Sequence, residues 1–201
     1  MMIQGVSVGD MLNQSMTVLT KPSVQSFEQF EKRGGQREAL IYVVIAAVLV
    51  GVVGLAFGFL GGIAGAVVGL LRGVFALIGF YVFAFVMSYV GKQQGGTGTQ
   101  DEVFYTAALY TAPILAVTGV VGAIPVIGCL ATPVTFALGI YQIYLGYLAA
   151  RSSMNLQQNP AIITVIAAIV AQFVVAVFIG GAIFAAILGG AALSGGLNTA
   201  P

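Results

Sequence analysis

Few side chains in this sequence could take part in catalysis, and those that could are far apart. His is absent, which removes the commonest general base and metal ligand. Cys129 is the single cysteine, so neither an internal disulfide nor a thiolate metal cluster is available. Its apolar neighbours predict a buried side chain. No nucleophile–base pair, metal-ligand set or nucleotide fingerprint is present, and we expect neither enzyme activity nor a cofactor.

Asp101 and Glu102 are the only neighbouring carboxylates after Glu38. Adjacent residues of a helix point in different directions, so these two do not form an acid–base pair. In the first turn of a helix they would complement the helix dipole, which is the role we expect. A site where a proton or cation enters is the alternative.

Arg72 is the only charge well inside an apolar run. Such a charge is costly, and it is usually paired or functional. No Asp or Glu lies at a comparable depth, so a buried ion pair has no obvious partner. We expect Arg72 to lie near the outer surface and to extend its guanidinium toward water, with a functional role as the alternative.

The elements that must carry these residues are apolar helices. Hydrophobic residues make up 59% of the chain, charged residues 6%, and the mean hydropathy is +1.05. A soluble domain has about 25% charged residues, and a membrane span needs about 20 apolar ones. We predict an all-α, polytopic transmembrane bundle of about five spans, at Ala39–Phe59, Gly65–Val90, Val103–Val121, Pro125–Ala150 and Pro160–Gly190.

Residues 1–38 precede this 39–190 transmembrane domain, and an uncharged tail, 191–201, follows it. Apolar residues recur at helical spacing in the first segment, at Val8, Met11, Leu12, Met16 and Leu19. We predict amphipathic helices there. They lie either in the lipid headgroup region, with Phe27 and Phe30 in the lipid, or against the cytoplasmic face of the protein itself.

Lys and Arg collect in alternate connections, which predicts a cytoplasmic N-terminus and an outside C-terminus. The short loops suggest a prokaryotic inner membrane. The net charge of +1 does not favour nucleic-acid binding, so the expected partners are membrane lipids, other membrane proteins or further copies of the chain.

Small residues repeat at four-residue spacing, which places them on one helix face and lets helix backbones approach. We expect these ridges to pack within the bundle, and exposure of one ridge for oligomerisation is the alternative. The residues are Gly54, Gly58, Gly62, Gly65, Gly69, Gly73, Gly181, Ala185 and Gly189.

Tyrosines and prolines form a second group of candidate residues. Tyr141, Tyr144 and Tyr147 predict an interfacial aromatic belt, with a ligand-facing stripe as the alternative. Proline can kink a span, and three prolines, Pro113, Pro125 and Pro133, interrupt the predicted third and fourth spans.

Several phrases resemble the prokaryotic type of the YIP (Ypt-interacting-protein-like) family of membrane proteins. They are the stretch from Met11 to Pro22 followed by Phe27 and Phe30, the run from Phe104 through Tyr110 to Pro113, and the run from Ile140 to Tyr147. The resemblance implies five spans and a cytoplasmic N-terminus. Eukaryotic members act with Rab-type GTPases, but the short N-terminal region here argues against carrying that interaction over.

Two functions therefore compete. The first is a YIP-like scaffold or membrane-organising protein that acts through helix–helix association. The second is a small transporter or channel subunit for an ion, lipid or small solute, suggested by Arg72, the kinking prolines and the tyrosine stripe. Tyr110 and Pro113 are further candidate functional residues. We favour the scaffold, because transport sites normally need more polar groups within the membrane.

Overall fold

The computed structural model describes residues 5–183 and 185–187, and its regular elements are all helical within those ranges. A 3₁₀ turn, Phe59–Gly61, joins the third and fourth helices, and a π-helical segment, Ala176–Gly180, extends the last one. The all-α prediction is confirmed. The helices are α1 (Val8–Thr20), α2 (Val24–Glu28), α3 (Gln36–Gly58), α4 (Gly62–Gln93), α5 (Gln100–Ala123), α6 (Ile127–Leu130), α7 (Thr132–Ser153) and α8 (Gln158–Val175).

Among the described residues, four helical segments are long and apolar enough to cross a membrane, namely Gln36–Gln93, Gln100–Ala123, Thr132–Ser153 and Gln158–Ile187. The first has 58 residues, far more than the roughly 20 that one span needs. It contains both α3 and α4, which turn back on each other at the 3₁₀ segment.

Glycines hold α3 and α4 together in an antiparallel hairpin. A Cβ atom added at Gly54 would overlap the carbonyl oxygen of Gly69, and one at Gly58 would overlap that of Gly65. From Gly54 to Gly58 the residue numbers rise along α3, while those of the contacted residues on α4 fall from Gly69 to Gly65. The two helices therefore run in opposite directions. Gly73 continues the contact, against the Ala47 carbonyl. The hairpin thus uses the ridges predicted for these two helices.

Gly62 is the exception, and its predicted place in a ridge is wrong. It lies in the turn with φ +76°, and no atom comes within 4 Å of the position its Cβ would take. The helix breaks at Phe59–Gly61, so the four-residue spacing from Gly58 does not place Gly62 on the same face. A glycine is favoured there by the positive φ instead.

One end of the bundle gathers the polar connections. The Gln36 amide donates to the Asp101 carboxylate at 3.0 Å, the Thr97 amide donates to the Met154 carbonyl at 3.1 Å, and Asn155 also bonds to Thr97. The starts of α3, α5 and α8 and the ends of α4 and α7 therefore meet. We call this the charged end, since Arg37, Lys92 and Arg151 lie in these helix termini, and the opposite end the far end.

The connection from α5 to α7 at the far end corrects three expectations. Pro125 lies in the turn before α6, and Pro133 lies in the first turn of α7, where proline is well tolerated. The fourth long helix therefore begins at Thr132 rather than at Pro125. Cys129 in α6 is exposed, so its predicted burial is wrong. Pro113 does lie inside a helix, and α5 continues through it.

Candidate functional site

Three tyrosines from three long helices bind α1 to the bundle. Tyr42 comes from α3, Tyr105 from α5 and Tyr141 from α7, and we call them the tyrosine clamp. Their hydroxyls bond to Ser15 Oγ at 3.1 Å, to Gln14 Oε1 at 2.7 Å and to the Leu19 carbonyl oxygen at 2.6 Å, respectively. Because Gln14, Ser15 and Tyr105 are buried, these bonds satisfy groups that would be costly to leave unpaired.

The N-terminal segment was predicted to lie either in the lipid headgroup region or against the protein itself. The tyrosine clamp places most of this segment against the protein. Phe27 and Phe30 are buried, so the interpretation that places their rings in lipid is wrong. The Phe27 ring instead meets the Tyr110 ring edge-on, with centroids 6.2 Å apart. Only the opposite face of α1 is apolar and exposed, at Val8, Leu12 and Met16, and for it a headgroup position stays a prediction.

The two carboxylates at the start of α5 act as helix caps. Glu102 Oε2 accepts from the Thr99 amide at 2.8 Å, and the Thr99 hydroxyl accepts from the Glu102 amide at 3.3 Å, which is a capping box. Asp101 accepts from the first turn of α3 as described above, so its carboxylate lies near two helix N-termini.

A cleft of about 1170 Å³ opens beside these caps at the charged end. It carries charges of both signs, from Asp10, Glu31, Lys32, Arg33 and the two α5 carboxylates. No cluster of three or more His, Cys, Asp or Glu side chains suited to a metal occurs in the part of the chain that the structure describes. The hydroxyl and amide of Ser7 bond to Asp10 and lower its pKa below the usual value.

Glu31 is the buried carboxylate of this cleft. Its Oε2 accepts from Ser152 Oγ at 3.0 Å, and its Oε1 lies 3.9 Å from the ammonium of Lys32, which is exposed. Burial raises the pKa of Glu31 above the usual value, and the Ser152 bond opposes that shift only in part. Folding therefore favours the protonated carboxyl, and charging it as the pH rises through the raised pKa destabilises the folded state.

We predict that Glu31→Gln removes this pH dependence, because Gln keeps an acceptor for Ser152 without a charge. The variant should melt above the unmodified protein near pH 8, and the difference should shrink as the pH falls and vanish below the ordinary Glu pKa of about 4.3. Thermal unfolding in detergent, followed by circular dichroism across this range, measures it. A difference in melting temperature that does not change with pH would contradict the prediction.

A groove of about 540 Å³ lies between α4 and α8. Its walls are apolar except for Arg72 and Gln172. Arg72 Nη1 donates to the Gly122 carbonyl at 3.4 Å, which places Arg72 at the far end beside the last turn of α5. The guanidinium there complements the negative end of the α5 dipole, in keeping with the predicted position near the surface.

Gln172 was missed in the sequence, although it is a lone amide within the last apolar run. Its Nε2 lies 3.1 Å from the position of a Cβ built on Gly79, so a side chain at residue 79 would crowd the amide. No hydrogen bond joins the Gln172 side chain to another residue in the described ranges. An amide with four hydrogen-bonding positions is thus available to a ligand in the groove.

The other predicted residues are not brought together into one site. Tyr110 is fully buried in the core, and Tyr144 is exposed beside Tyr141. Gly181 and Ala185 are exposed on the continuation of α8, and nothing lies within 4 Å of the Gly181 Cβ position. Gly189 and the tail 191–201 lie outside the described residues.

A family model described as Yip1 domain matches residues 16–180 of the chain. No curated protein and no solved structure matches the chain.

Proposed function

Because the chain belongs to the family defined by the Yip1 domain, we propose that it is a non-enzymatic membrane scaffold that acts through helix–helix association. Its apolar helical segments are those of an integral membrane protein. The associating partner in this proposal is a second copy of the chain or another membrane protein.

The observation that carries the proposal is the one-sided packing of α8. Ala161, Thr164, Val165 and Ala168 are buried on one face of this helix. A second face carries exposed apolar side chains that do not line the groove, at Ile163, Ile166, Val170, Phe173 and Val174. Exposed apolar side chains also occur on α3, α4 and α7. We place the partner helix on α8 because its segment is the least buried of the four candidate spans.

The packing of α5 supports a scaffold over a transporter. Every residue from Val103 to Ala112 is buried, and the hydroxyls of Tyr105 and Thr106 bond within the chain. The buried hydroxyls of Tyr110 and Thr111 have no partner among the described residues, and these two side chains line neither the groove nor the charged-end cleft. The groove and the charged-end cleft share no lining residue. A transport path would need polar groups that face a common cavity.

The proposal includes the orientation of the bundle in the membrane. Lys and Arg concentrate at the charged end, and only Arg72 reaches the far end. The positive-inside rule then puts α1 and the charged end in the cytoplasm. With α3 and α4 counted as separate spans, the chain crosses the membrane five times, and a prokaryotic inner membrane is the proposed location.

Single-cysteine crosslinking in native membranes tests the association. In a Cys129→Ala background, we expect Val170→Cys on α8 to form disulfide-linked species under mild oxidation. Ile140→Cys on α7 is the matched control, because the two positions are equally exposed, at 55% and 56%, and should give no crosslink. A chain that crosslinks at neither position and appears as a lone monomer in native mass spectrometry would refute the scaffold.

A further inference from the structure

We propose that the groove between α4 and α8 binds one phospholipid, with its phosphate on Arg72 and an acyl chain along the apolar walls. This site is separate from the exposed stripe of α8 described above. Three observations carry it, namely the unmatched charge of Arg72, the composition of the groove, and the helix irregularity beside it.

No acidic side chain lies near Arg72 at the far end of the bundle in the part of the chain that the structure describes. The protein has six acidic residues, and all lie in the N-terminal segment or in the first turns of α3 and α5 at the charged end, as Asp10, Glu28, Glu31, Glu38, Asp101 and Glu102. Among the described residues, the guanidinium makes one hydrogen bond, to the Gly122 carbonyl at 3.4 Å, and its other N–H donors have no acceptor there. The described residues thus supply no acidic side chain for Arg72, and a phosphate would accept its N–H donors in bidentate fashion.

The walls of the groove suit an acyl chain. They are formed by large apolar side chains of both helices, including Leu71, Phe75, Ile78, Val175 and Ile183. Gln172 lies deeper than Arg72, because its neighbour Gly79 is seven residues farther along α4, or about 10 Å at the helical rise. Its amide can donate to an ester carbonyl of a phospholipid. A purely apolar ligand would offer this amide no acceptor.

An irregular stretch of helix forms part of the same wall. The π-helical segment Ala176–Gly180 follows α8, and Ala176, Gly180 and the next residue, Gly181, all line the groove. Short π segments are frequent at functional sites, and the small side chains leave the groove open on this side. Arg72 and Lys92 are 20 residues apart on α4, about 30 Å at the helical rise, which is the thickness of a bilayer's hydrocarbon core. Arg72 therefore reaches headgroup depth when Lys92 lies at the opposite interface, whereas a free anion in water would gain nothing from the apolar walls.

Native mass spectrometry of the full chain released from nanodiscs of phosphatidylcholine and phosphatidylglycerol tests this site. We expect one retained phospholipid per chain, and about tenfold weaker retention for Arg72→Gln, which is the loss of one charge-assisted contact. Arg37→Gln is the matched control, because it removes an exposed arginine at the charged end, and it should leave retention unchanged. Equal effects of the two substitutions would overturn the proposal.

A second variant tests the role of the groove while the charge of Arg72 stays unchanged. Gly181→Leu places a side chain in the groove where no atom lies within 4 Å of the added Cβ, so the protein should fold and lose the lipid while Arg72 stays in place. Inorganic phosphate at millimolar concentration should not displace the lipid. Displacement by phosphate, or a membrane-spanning helix of another chain recovered in the groove by crosslinking, would refute the phospholipid site.

Discussion

Gly69→Ala is expected to destabilise the protein more than any other glycine-to-alanine change in the described helices. The new Cβ would overlap the Gly54 carbonyl group, and neither backbone can move without separating α3 from α4. Overpacking of this kind costs about 1–3 kcal/mol and occasionally more, which corresponds to a fall in melting temperature of about 3–10 °C. Thermal unfolding in detergent measures it, and Gly69→Leu should prevent assembly of the hairpin.

Gly139→Ala in α7 provides the control for this prediction. No atom lies within 4 Å of its Cβ position, and alanine is the better helix former by about 1 kcal/mol, so its melting temperature should hold or rise. Combining Gly54→Ala with Gly69→Ala should cost less than the sum, because both push the same two backbones apart. Equal stabilities of Gly69→Ala and Gly139→Ala would contradict the close hairpin.

Phe27→Ala is expected to release the N-terminal helices from the bundle. Phe27 is completely buried and packs against Tyr110, and truncation of a buried Phe costs about 3–5 kcal/mol. Because α2 contacts α7, loss of this anchor should also expose the segment before α3 to protease. We expect a lowered melting temperature together with faster proteolytic removal of the first 35 or so residues.

Leu12→Ala provides the comparison, since this leucine is 51% exposed on α1. A substitution on an exposed face changes stability by about 0.5 kcal/mol or less, and the rate of proteolysis should stay as in the unmodified chain. If Leu12→Ala destabilised the protein as much as Phe27→Ala, the outer face of α1 would have to be packed against protein. The tyrosine clamp would then be only part of what holds α1.

The tyrosine clamp also explains why α1 and α5 depend on each other. Tyr105 fills the space beside Gly34, where a Cβ would clash with its ring, and its hydroxyl reaches Gln14 across the same surface. A side chain at residue 34 would therefore push Tyr105 away from α1. The glycine pair before α3 thus serves the docking of the N-terminal segment as well as the start of the helix.

Much of the architecture was predictable because it depends on one-dimensional properties of the chain. Hydropathy alone indicated the apolar helices, since in a bilayer every backbone group must be satisfied within the segment. The spacing of Gly54 and Gly58 with Gly65, Gly69 and Gly73 likewise indicated close packing, because four-residue spacing fixes a helix face regardless of what packs against it.

The face that each residue presents was decided only by the tertiary structure. In a membrane protein both the core and the lipid are apolar, so hydropathy does not distinguish Phe27, which is buried, from exposed Phe173, and it misplaced Cys129. The bonds of the tyrosine clamp join residues that are up to 122 positions apart, and Gln172 and Arg72 line one groove only because α4 and α8 pack together. Such pairings follow from how the helices pack, which no local sequence pattern specifies.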